Sequence, residues 1–378
     1  MGDVVNFFSG LTYHPSDVKN KGYFVIRSSN IQNNQIVSAD DIFVNKDIIN
    51  VPNVKQGDII VVVRNGSRKL IGKHAQVLTD MPNTVIGAFM TGVRSKSNFY
   101  INALLDSDQF QKEIYKNLGA TINQITIGEF RKMRFIITSG NEAQTIGEFF
   151  KKIDTLITLQ QRKLEQLRQL KIFTLQRMFI DKDCKQPILR FKNFNDNWLP
   201  HKFNDIANTF SGGTPAISNK DYYGGNIPFI RSAEINKNTT QLHLTPDGLK
   251  NSSAKFIKKG TLLYAPYGAT SGEVGIAQID GAINQAVMAI NLKKDNVYFI
   301  KTWLIKNKRK IISTYLQGGQ GNLSAKIVKH LKLSLPKIEE EKLISITIMK
   351  IDSLIKLQQS KIDDLVNLKK YLLQKLFI

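Results

Sequence analysis

IDTLITLQQRKLEQLRQLKIFTLQRMFI, running from Ile153 to Ile180, and IDSLIKLQQSKIDDLVNLKKYLLQKLFI, from Ile351 to Ile378, align without a gap. More than half of the positions are identical, and most others exchange like for like, as in Thr155 with Ser353 or Glu165 with Asp363. Both segments lack Pro and Gly, and their apolar residues recur at three- and four-residue steps, the spacing of a helix. The stripe in the first is Ile153, Leu156, Ile157, Leu164, Leu167 and Leu170; in the second it is Ile351, Leu354, Ile355, Ile362, Leu365 and Leu368. Helical character extends back to near Glu142 and Glu339, which predicts helices of roughly 38 to 40 residues, about 57 to 60 Å long. Length, duplication and the absence of glycine breaks predict helix-on-helix packing as a coiled coil. Gln160 and Gln358 fall on the stripe, where an amide either fixes register between paired helices or sits at an edge facing water.

The duplication reaches beyond the helices. Tyr23 to Asn30 reads YFVIRSSN and Pro228 to Asn236 reads PFIRSAEIN, so Ile26-Arg27-Ser28 recurs as Ile230-Arg231-Ser232. Gly57 to Gly72 reads GDIIVVVRNGSRKLIG and Gly260 to Gly275 reads GTLLYAPYGATSGEVG, two strand-like runs that end in small or polar loops. The chain is therefore a globular unit and a long helix, twice. The divisions are 1–140 and 201–337 for the globular units, 141–180 and 338–378 for the helices, and 181–200 for a connector turning at Pro187 and Asn195 to Asn197. Short β-branched runs punctuated by Gly, Asn and Asp predict α+β units built on antiparallel strands. A shorter helix is expected at 103–117, and another at 297–315, where Lys301, Lys306, Lys308, Arg309 and Lys310 form a positive face. Glu339 to Glu341 place negative charge in the first turn of the second long helix, where its dipole favours it.

The 378 residues are 42% hydrophobic and carry a formal charge of +22, from 53 Lys and Arg against 31 Asp and Glu. That is enough apolar content for two or more cores, and the charge predicts attraction to a polyanion, first of all nucleic acid. No run is apolar for the 18 or so residues a bilayer span needs, so no membrane role is expected. The first ten residues include Asp3 and lack the basic and apolar segments of an export signal. With Cys184 as the sole cysteine, neither an intramolecular disulfide nor a zinc site is expected, and a cytoplasmic location fits.

Motifs for catalysis are missing. There is no G-x-x-x-x-G-K-[ST] phosphate loop and no Asn-Pro-Pro or Asp-Pro-Pro box for methylation of a flipped base. The five histidines, His14, His74, His201, His243 and His330, lack metal-ligand spacing, and Pro246-Asp247 reads as a turn rather than the start of a nuclease site. What remains suits recognition. The loop Arg64, Asn65, Gly66, Ser67, Arg68 and Lys69 carries guanidinium forks, an amide and a hydroxyl, groups that bond phosphates or base edges. Its counterpart, Tyr267, Gly268, Ala269, Thr270, Ser271 and Gly272, is uncharged, so two unlike half-sites are expected. Ser211-Gly212-Gly213-Thr214-Pro215 and Gln317-Gly318-Gly319-Gln320-Gly321-Asn322 are further hydrogen-bonding loops, and ordinary turn chemistry is the alternative for each. Candidate DNA contacts are Arg27, Ser28, Arg64, Asn65, Ser67, Arg68, Lys69, Gly213, Thr214, Arg231, Ser232, Tyr267, Thr270, Ser271 and Gln320. Candidate coiled-coil or partner contacts are Ile153, Leu156, Ile157, Gln160, Leu164, Leu167, Ile351, Leu354, Ile355, Gln358, Ile362 and Leu365.

The loop Ser211 to Pro215, the run Tyr223-Gly224-Gly225-Asn226-Ile227-Pro228-Phe229-Ile230-Arg231, Gly318 to Leu323, and Leu335-Pro336-Lys337-Ile338-Glu339-Glu340 together resemble the target-recognition domain of type I restriction-modification specificity subunits. Gly10 to Tyr13 and Val25 to Ile31 resemble a second class of that domain. With the repeated helices, the resemblance covers nearly the whole chain. It implies two target-recognition domains held apart by an antiparallel pair of long helices. It implies a bipartite target in double-stranded DNA, two methyltransferase subunits as partners, and restriction subunits in the full complex. It implies that no cofactor binds this chain, S-adenosylmethionine, ATP and Mg2+ being used by the partners, and that no catalysis belongs to it. Two departures stand out: the first unit lacks both the Leu189-to-Trp198 leader and the Leu-Pro-x-Ile-Glu-Glu entry to its helix. Either a natural variant or a shortened amino terminus accounts for them. The competing readings are a stand-alone methyltransferase or nuclease, which the missing motifs disfavour, and a coiled-coil scaffold whose charge is incidental.

Overall fold

The computed structural model describes residues 1–118, 123–138, 140–181, 184–315, 323 and 325–377. They form two compact units, one of residues 1–163 with 358–378, the other of residues 164–357. Each unit therefore holds a globular part together with a portion of each long helix.

In the first unit the apolar run Ile59–Val62 is buried along its whole length because it is the inner strand of a sheet covered on both faces. That antiparallel sheet orders its strands Asn6–Ser9, Met90–Arg94, Ile59–Val62 and His74–Gln76. One face, with Ile59, Val61 and Val93, packs on Leu104, Phe110, Phe130 and Phe150; the other, with Ile60, Val62 and Ala75, packs on Ile26, Ile31 and Ile86. Each such side chain contributes about 1.5–3 kcal/mol through burial. A second sheet orders Val18–Lys19, Ile42–Val44, Tyr23–Ile26 and Thr84–Ile86. The second unit repeats the plan. Its main sheet runs Ala207–Ser211, Met288–Leu292, Leu262–Ala265 and Glu273–Ile276, and its other sheet contains Tyr223–Ile230 and Gly281–Ile283. Among the described residues the strands pair antiparallel as expected except for one pair in each unit: Tyr23–Ile26 lies parallel to Thr84–Ile86, and Phe229–Ile230 to Ala282–Ile283.

Several local expectations change. The helix expected at 103–117 is two helices, Asn98–Leu105 and Asp108–Asn117, because Ser107 caps the second, accepting from Phe110 N at 3.4 Å. Pro246 and Asp247 begin a short helix, Pro246–Lys250, capped by Thr245, rather than a turn. The helix Val297–Tyr315 forms where expected, but part of its positive face is engaged: Lys306 pairs with Asp181 at 3.3 Å, Lys308 with Glu273, and Lys301 lies over the Tyr298 ring. Within the connector, residues 184–200 pack on the second unit: Trp198 is buried and Arg190 grips Glu340 through two 2.8 Å bonds.

The long helices run Gly140–Met178 and Ile338–Leu376, 39 residues each. Along the first, Phe150, Ile157, Leu164, Thr174 and Met178 are buried, and Ile153, Gln160, Leu167 and Lys171 between them are half-buried. Steps of three and four alternate strictly, the 3.5-residue period of a coiled-coil seam. Ile348, Ile351, Ile355, Gln358, Ile362, Leu365, Lys369 and Leu372 continue the same period on the second. Leu156 and Leu354, with Leu170 and Leu368, are corrections to the expected stripe: they are 40%, 50%, 47% and 49% exposed. Each lies outside the 3.5-residue series and so turns away from the seam.

Within the first unit, Gln358 donates to the Gln160 backbone oxygen at 3.1 Å and to its side-chain oxygen at 2.8 Å, while Lys369 meets Asp154 at 2.5 Å. As the residue number rises on one helix its partner's falls, so the segments run in opposite directions. Lys369 also binds Asp106 at 2.6 Å, and Asp106 faces His74 at 3.4 Å and accepts from Asn34 at 2.7 Å. Burial disfavours charge on His74, but the hydrogen bond and charge of Asp106 outweigh it and raise its pKa. Within the second unit Lys171, the repeat equivalent of Lys369, meets Asp352 at 2.6 Å, and Tyr298 donates to Asp352 at 2.5 Å.

Glu339, Glu340 and Glu341 fall in the first turn of the second long helix as expected, and two of them also serve its packing. Glu340 is neutralised by Arg190, and Glu341 is buried where Asn296 N donates to it at 2.7 Å. Burial, with Asp295 alongside, pushes Glu341 up to about 8 against that hydrogen bond. The folded state thus holds a proton that the unfolded chain releases near pH 4.5, so this contribution is complete below about 4.5 and lost as pH rises to 8. Glu341→Gln is expected to flatten the fall in thermal midpoint over that interval, measured by calorimetry across pH. Lys369→Met, which leaves Asp106 and Asp154 facing each other, is expected to destabilise the first unit by about 3–5 kcal/mol in denaturant titrations.

Candidate nucleic-acid interface

In each unit the chain leaves several strands at the same end of the two sheets, and the loops formed there contain most of the expected contact residues. In the first unit Leu11 N donates to Ile86 O at 2.7 Å, and Gly87 N to Ile26 O at 2.9 Å. These bonds bring together the end of the first strand, the segment Arg27–Asn30 and the turn at Gly87–Phe89, which links the two sheets. Val63 N and Arg64 N both donate to Phe89 O, at 3.0 and 3.2 Å, which adds the loop at residues 64–69. Asn65 Nδ2 then donates to Ser28 Oγ at 3.2 Å, joining two sequence-predicted elements by a side-chain bond. Gly10 is required here: a Cβ would lie 2.0 Å from Gly87 O. Gly212 is its counterpart, where a Cβ would lie 1.8 Å from Ile283 O.

The candidate residues divide by what their side chains already hold. Arg27 donates to Asp40 O, and its main-chain N donates to Asn30 Oδ1 at 3.0 Å. Arg231 is held more firmly: its guanidinium reaches both Glu234 oxygens at 3.0 and 3.2 Å and Gln241 at 2.9 Å. Desolvation of Glu234 is outweighed by these bonds, so its pKa is lowered. Both arginines therefore brace the loops more than they present a free fork. Arg64, Ser67, Arg68 and Lys69 are exposed, with Ser67 N tied to Asn65 Oδ1 at 3.0 Å and Asn123 Nδ2 to Gly66 O at 3.0 Å. The loop shape is fixed by amides and backbone, leaving the cationic ends in water.

In the second unit Thr214 Oγ1 donates to Gln285 Oε1, and Gln285 lies in the turn Asn284–Val287 that answers the turn at Gly87–Phe89. Tyr223 OH donates to Pro215 O at 2.7 Å, holding the loop that contains Gly213 and Thr214. Ser232 is half-buried at the start of a single helical turn. Thr270 Oγ1 donates to Tyr267 O at 3.3 Å and Ser271 Oγ to Pro266 O at 3.2 Å, so both hydroxyls serve the loop's own turn. Gln320 and its loop, residues 317–322, lie outside the described residues. Sequence reasoning misses Phe89, Asn123 and Gln285, each far in sequence from the loop it supports; a lone exposed Phe before a strand is the one available signal.

Of the coiled-coil candidates, Ile157, Leu164, Ile351, Gln358 and Ile362 are buried, Ile153, Gln160, Leu167, Ile355 and Leu365 are half-buried, and Leu156 and Leu354 are exposed. Leu156 and Leu354 join Leu159, Leu357, Ile346 and Met349 among the exposed apolar residues of the two helices. Among the described residues no group of His, Cys, Asp and Glu is arranged to hold a metal ion, and no helix is long and apolar enough to cross a membrane.

The sequence matches the family described as the Type I restriction modification DNA specificity domain over residues 1–169 and 195–367. It is 27% identical over 167 residues to the type I restriction enzyme MjaIX specificity subunit of Methanocaldococcus jannaschii, covering 41% of this chain and 38% of that protein. It is 22% identical over 380 residues to the EcoKI specificity subunit of Escherichia coli, covering 89% and 78%. The chain spans less than half the length of the MjaIX, StySPI and MjaX specificity subunits that it matches. Among solved structures, the S subunit of a type I restriction-modification system from M. genitalium has a similar fold, with a TM-score of 0.66 and 14% identity, over 100% of this chain and 94% of that one.

The division of labour among the cations is testable. Arg68→Ala with Lys69→Ala should leave stability within about 0.5 kcal/mol of the parent. It should also lower the slope of log affinity for duplex DNA against log salt by about one for each phosphate that is no longer neutralised. Arg231→Ala should instead cost about 1–3 kcal/mol of stability, because Glu234 is left without its partner. Equal effects of both changes on the salt slope would contradict this assignment.

Proposed function

Because the chain belongs to the type I restriction-modification DNA specificity family, we propose that it reads a two-part sequence in double-stranded DNA and positions catalytic partner subunits on it. The chain is the non-catalytic specificity component of such a system. Residues 1–140 and 201–337 act as the two target-recognition domains, 181–200 as the connector, and 141–180 and 338–378 as an antiparallel coiled coil that spaces them. The observation that carries this reading is the recurrence, in both units, of one loop cluster at the same end of the same sheet topology. Its side chains differ: cationic Arg64, Arg68 and Lys69 in the first, neutral Tyr267, Thr270 and Ser271 in the second. One scaffold used twice with different chemistry supports two unlike half-sites. The net charge of +22 supports a phosphate backbone as the common ligand.

The exposed apolar residues of the long helices, Leu156, Leu159, Leu354 and Leu357 among them, suit docking of two methyltransferase subunits, since water-facing leucines at these positions gain from being covered. Through those subunits restriction subunits join the complex. S-adenosylmethionine, ATP and Mg2+ are assigned to the partners and none to this chain, and the assembly works in the cytoplasm, where DNA is encountered. Helices of 39 residues, about 58 Å at 1.5 Å per residue, are long enough to span more than one 34 Å turn of B-DNA, so their length sets the unread gap.

The test is selection of bound duplexes from a randomised pool by the chain complexed with its methyltransferase subunits. Two short preferred blocks separated by a fixed unread gap are expected. Exchange of residues 1–140 for those of another member should change one block only. A single contiguous preference, a change in both blocks, or methyl transfer by the isolated chain would overturn the proposal.

A further inference from the structure

Phe89 stands at the centre of the first unit's loop cluster yet is 52% exposed, while Met90 beside it is buried. Its carbonyl is fixed by Val63 N and Arg64 N. Its ring lies under the Arg64 guanidinium, 4.9 Å from the ring centroid. Arg94, Arg190 and Arg231 are held by carboxylates, Arg94 lying over the Phe8 ring as well, whereas Arg64 rests on the Phe89 face. The difference matters chemically. A carboxylate occupies the N–H edge of the fork, whereas a ring beneath its face leaves that edge open. The Arg64 main chain is also bridged to Gln124, and the next residue is bonded to Ser28 and Asn123. The arginine therefore starts from an immobilised backbone and lies against a fixed platform.

We infer that Phe89 is a positioning residue for sequence reading by the first unit, orienting Arg64 so that its N–H edge meets the O6 and N7 acceptors of a guanine in the major groove. This rests on the reading of these loops as the DNA-contacting face. An unsupported arginine at a loop tip distributes among many rotamers and must be ordered on binding; one already stacked loses less freedom. Among the described residues the second unit has no equivalent pair: Val287, which precedes the strand Met288–Leu292 as Phe89 precedes Met90–Arg94, is fully buried. The effect is thus confined to one half of the target.

Phe89→Ala, Phe89→Leu, Phe89→Trp, Arg64→Ala and the Arg64→Ala/Phe89→Ala double variant, each in the complete complex with methyltransferase subunits, are compared on duplex pools randomised one half-site at a time. Thermal unfolding is followed alongside, and Phe89→Leu replaces Phe89→Ala if the latter does not fold. Phe89→Ala should lower affinity for the preferred first half-site by roughly 3- to 30-fold. It should weaken the preference for guanine at one position and leave the second half-site unaltered. Phe89→Trp should retain the preference, and the double variant should resemble Arg64→Ala alone. Equal loss on every sequence, or additive effects of the two substitutions, would overturn the role given to Phe89. An Arg64→Ala variant with unchanged affinity and preference would instead remove the reading of these loops as the DNA-contacting face.

Discussion

A lysine facing an aspartate across the helix seam occurs once in each unit, and in the duplicated sequence the two occurrences are the same pair with the helices exchanged. Lys369 meets Asp154, and Lys171 meets Asp352. Because the two helices are copies, a position that pairs well once pairs well again when the chain folds back on a copy of itself. Gln160 and Gln358 occupy equivalent places and bond each other, so the amides sit where the repeat meets its own counterpart. An amide or charge in an apolar seam costs stability unless it finds its partner, and only one register supplies all of these partners. The seam is thus specified by its polar members more than by its leucines, which would tolerate a shift of one heptad.

The same pair has been elaborated differently in the two units. In the first, Lys369 is shared with Asp106, which brings in His74 from the main sheet and Asn34 from a hairpin. In the second, Asp352 takes Tyr298 instead. A buried lysine between two carboxylates makes a strong junction only as a complete set, since removal of one member leaves the others charged and dry. The globular part of the first unit is therefore anchored through electrostatic complementarity as well as through Phe150, Leu373 and Phe377 in its apolar core.

How much of this is legible in the sequence depends on whether the deciding interaction is local. The long helices and their duplication are readable because helix period and repeat both lie along the chain. A stripe drawn from apolar residues alone is too wide, taking in Leu156 and Leu354, because leucine identity does not separate a seam position from an outward one. A 3.5-residue series through Gln160, Lys171 and Lys369 does, and those residues are polar. The recurrence of Ile-Arg-Ser identifies equivalent loops, but not that Arg231 is engaged by Glu234 three residues later. Nor does spacing reveal the parallel strand pair, Arg190 with Glu340, or Phe89 under Arg64, which join residues remote in sequence.

The arginines of the loop clusters divide between those that brace the loops and those that face water. Main-chain bonds such as Leu11 N to Ile86 O and Gly87 N to Ile26 O, the tight approaches at Gly10 and Gly212, and the braced Arg27 and Arg231 set the positions of the loops. None of them depends on which side chains occupy residues 64–69 or 267–272. Arg64, Ser67, Arg68 and Lys69 are exposed, and the hydroxyls of Thr270 and Ser271 serve their own turn, so replacing a cationic loop by a neutral one alters the surface without disturbing a core. Asn65, which donates to Ser28, is one exception, and Arg64, whose guanidinium lies over Phe89 on a different loop, is another. A change of chemistry at either position therefore involves two loops at once, and a recognition unit transferred as a whole preserves a coupling that a transferred loop would break.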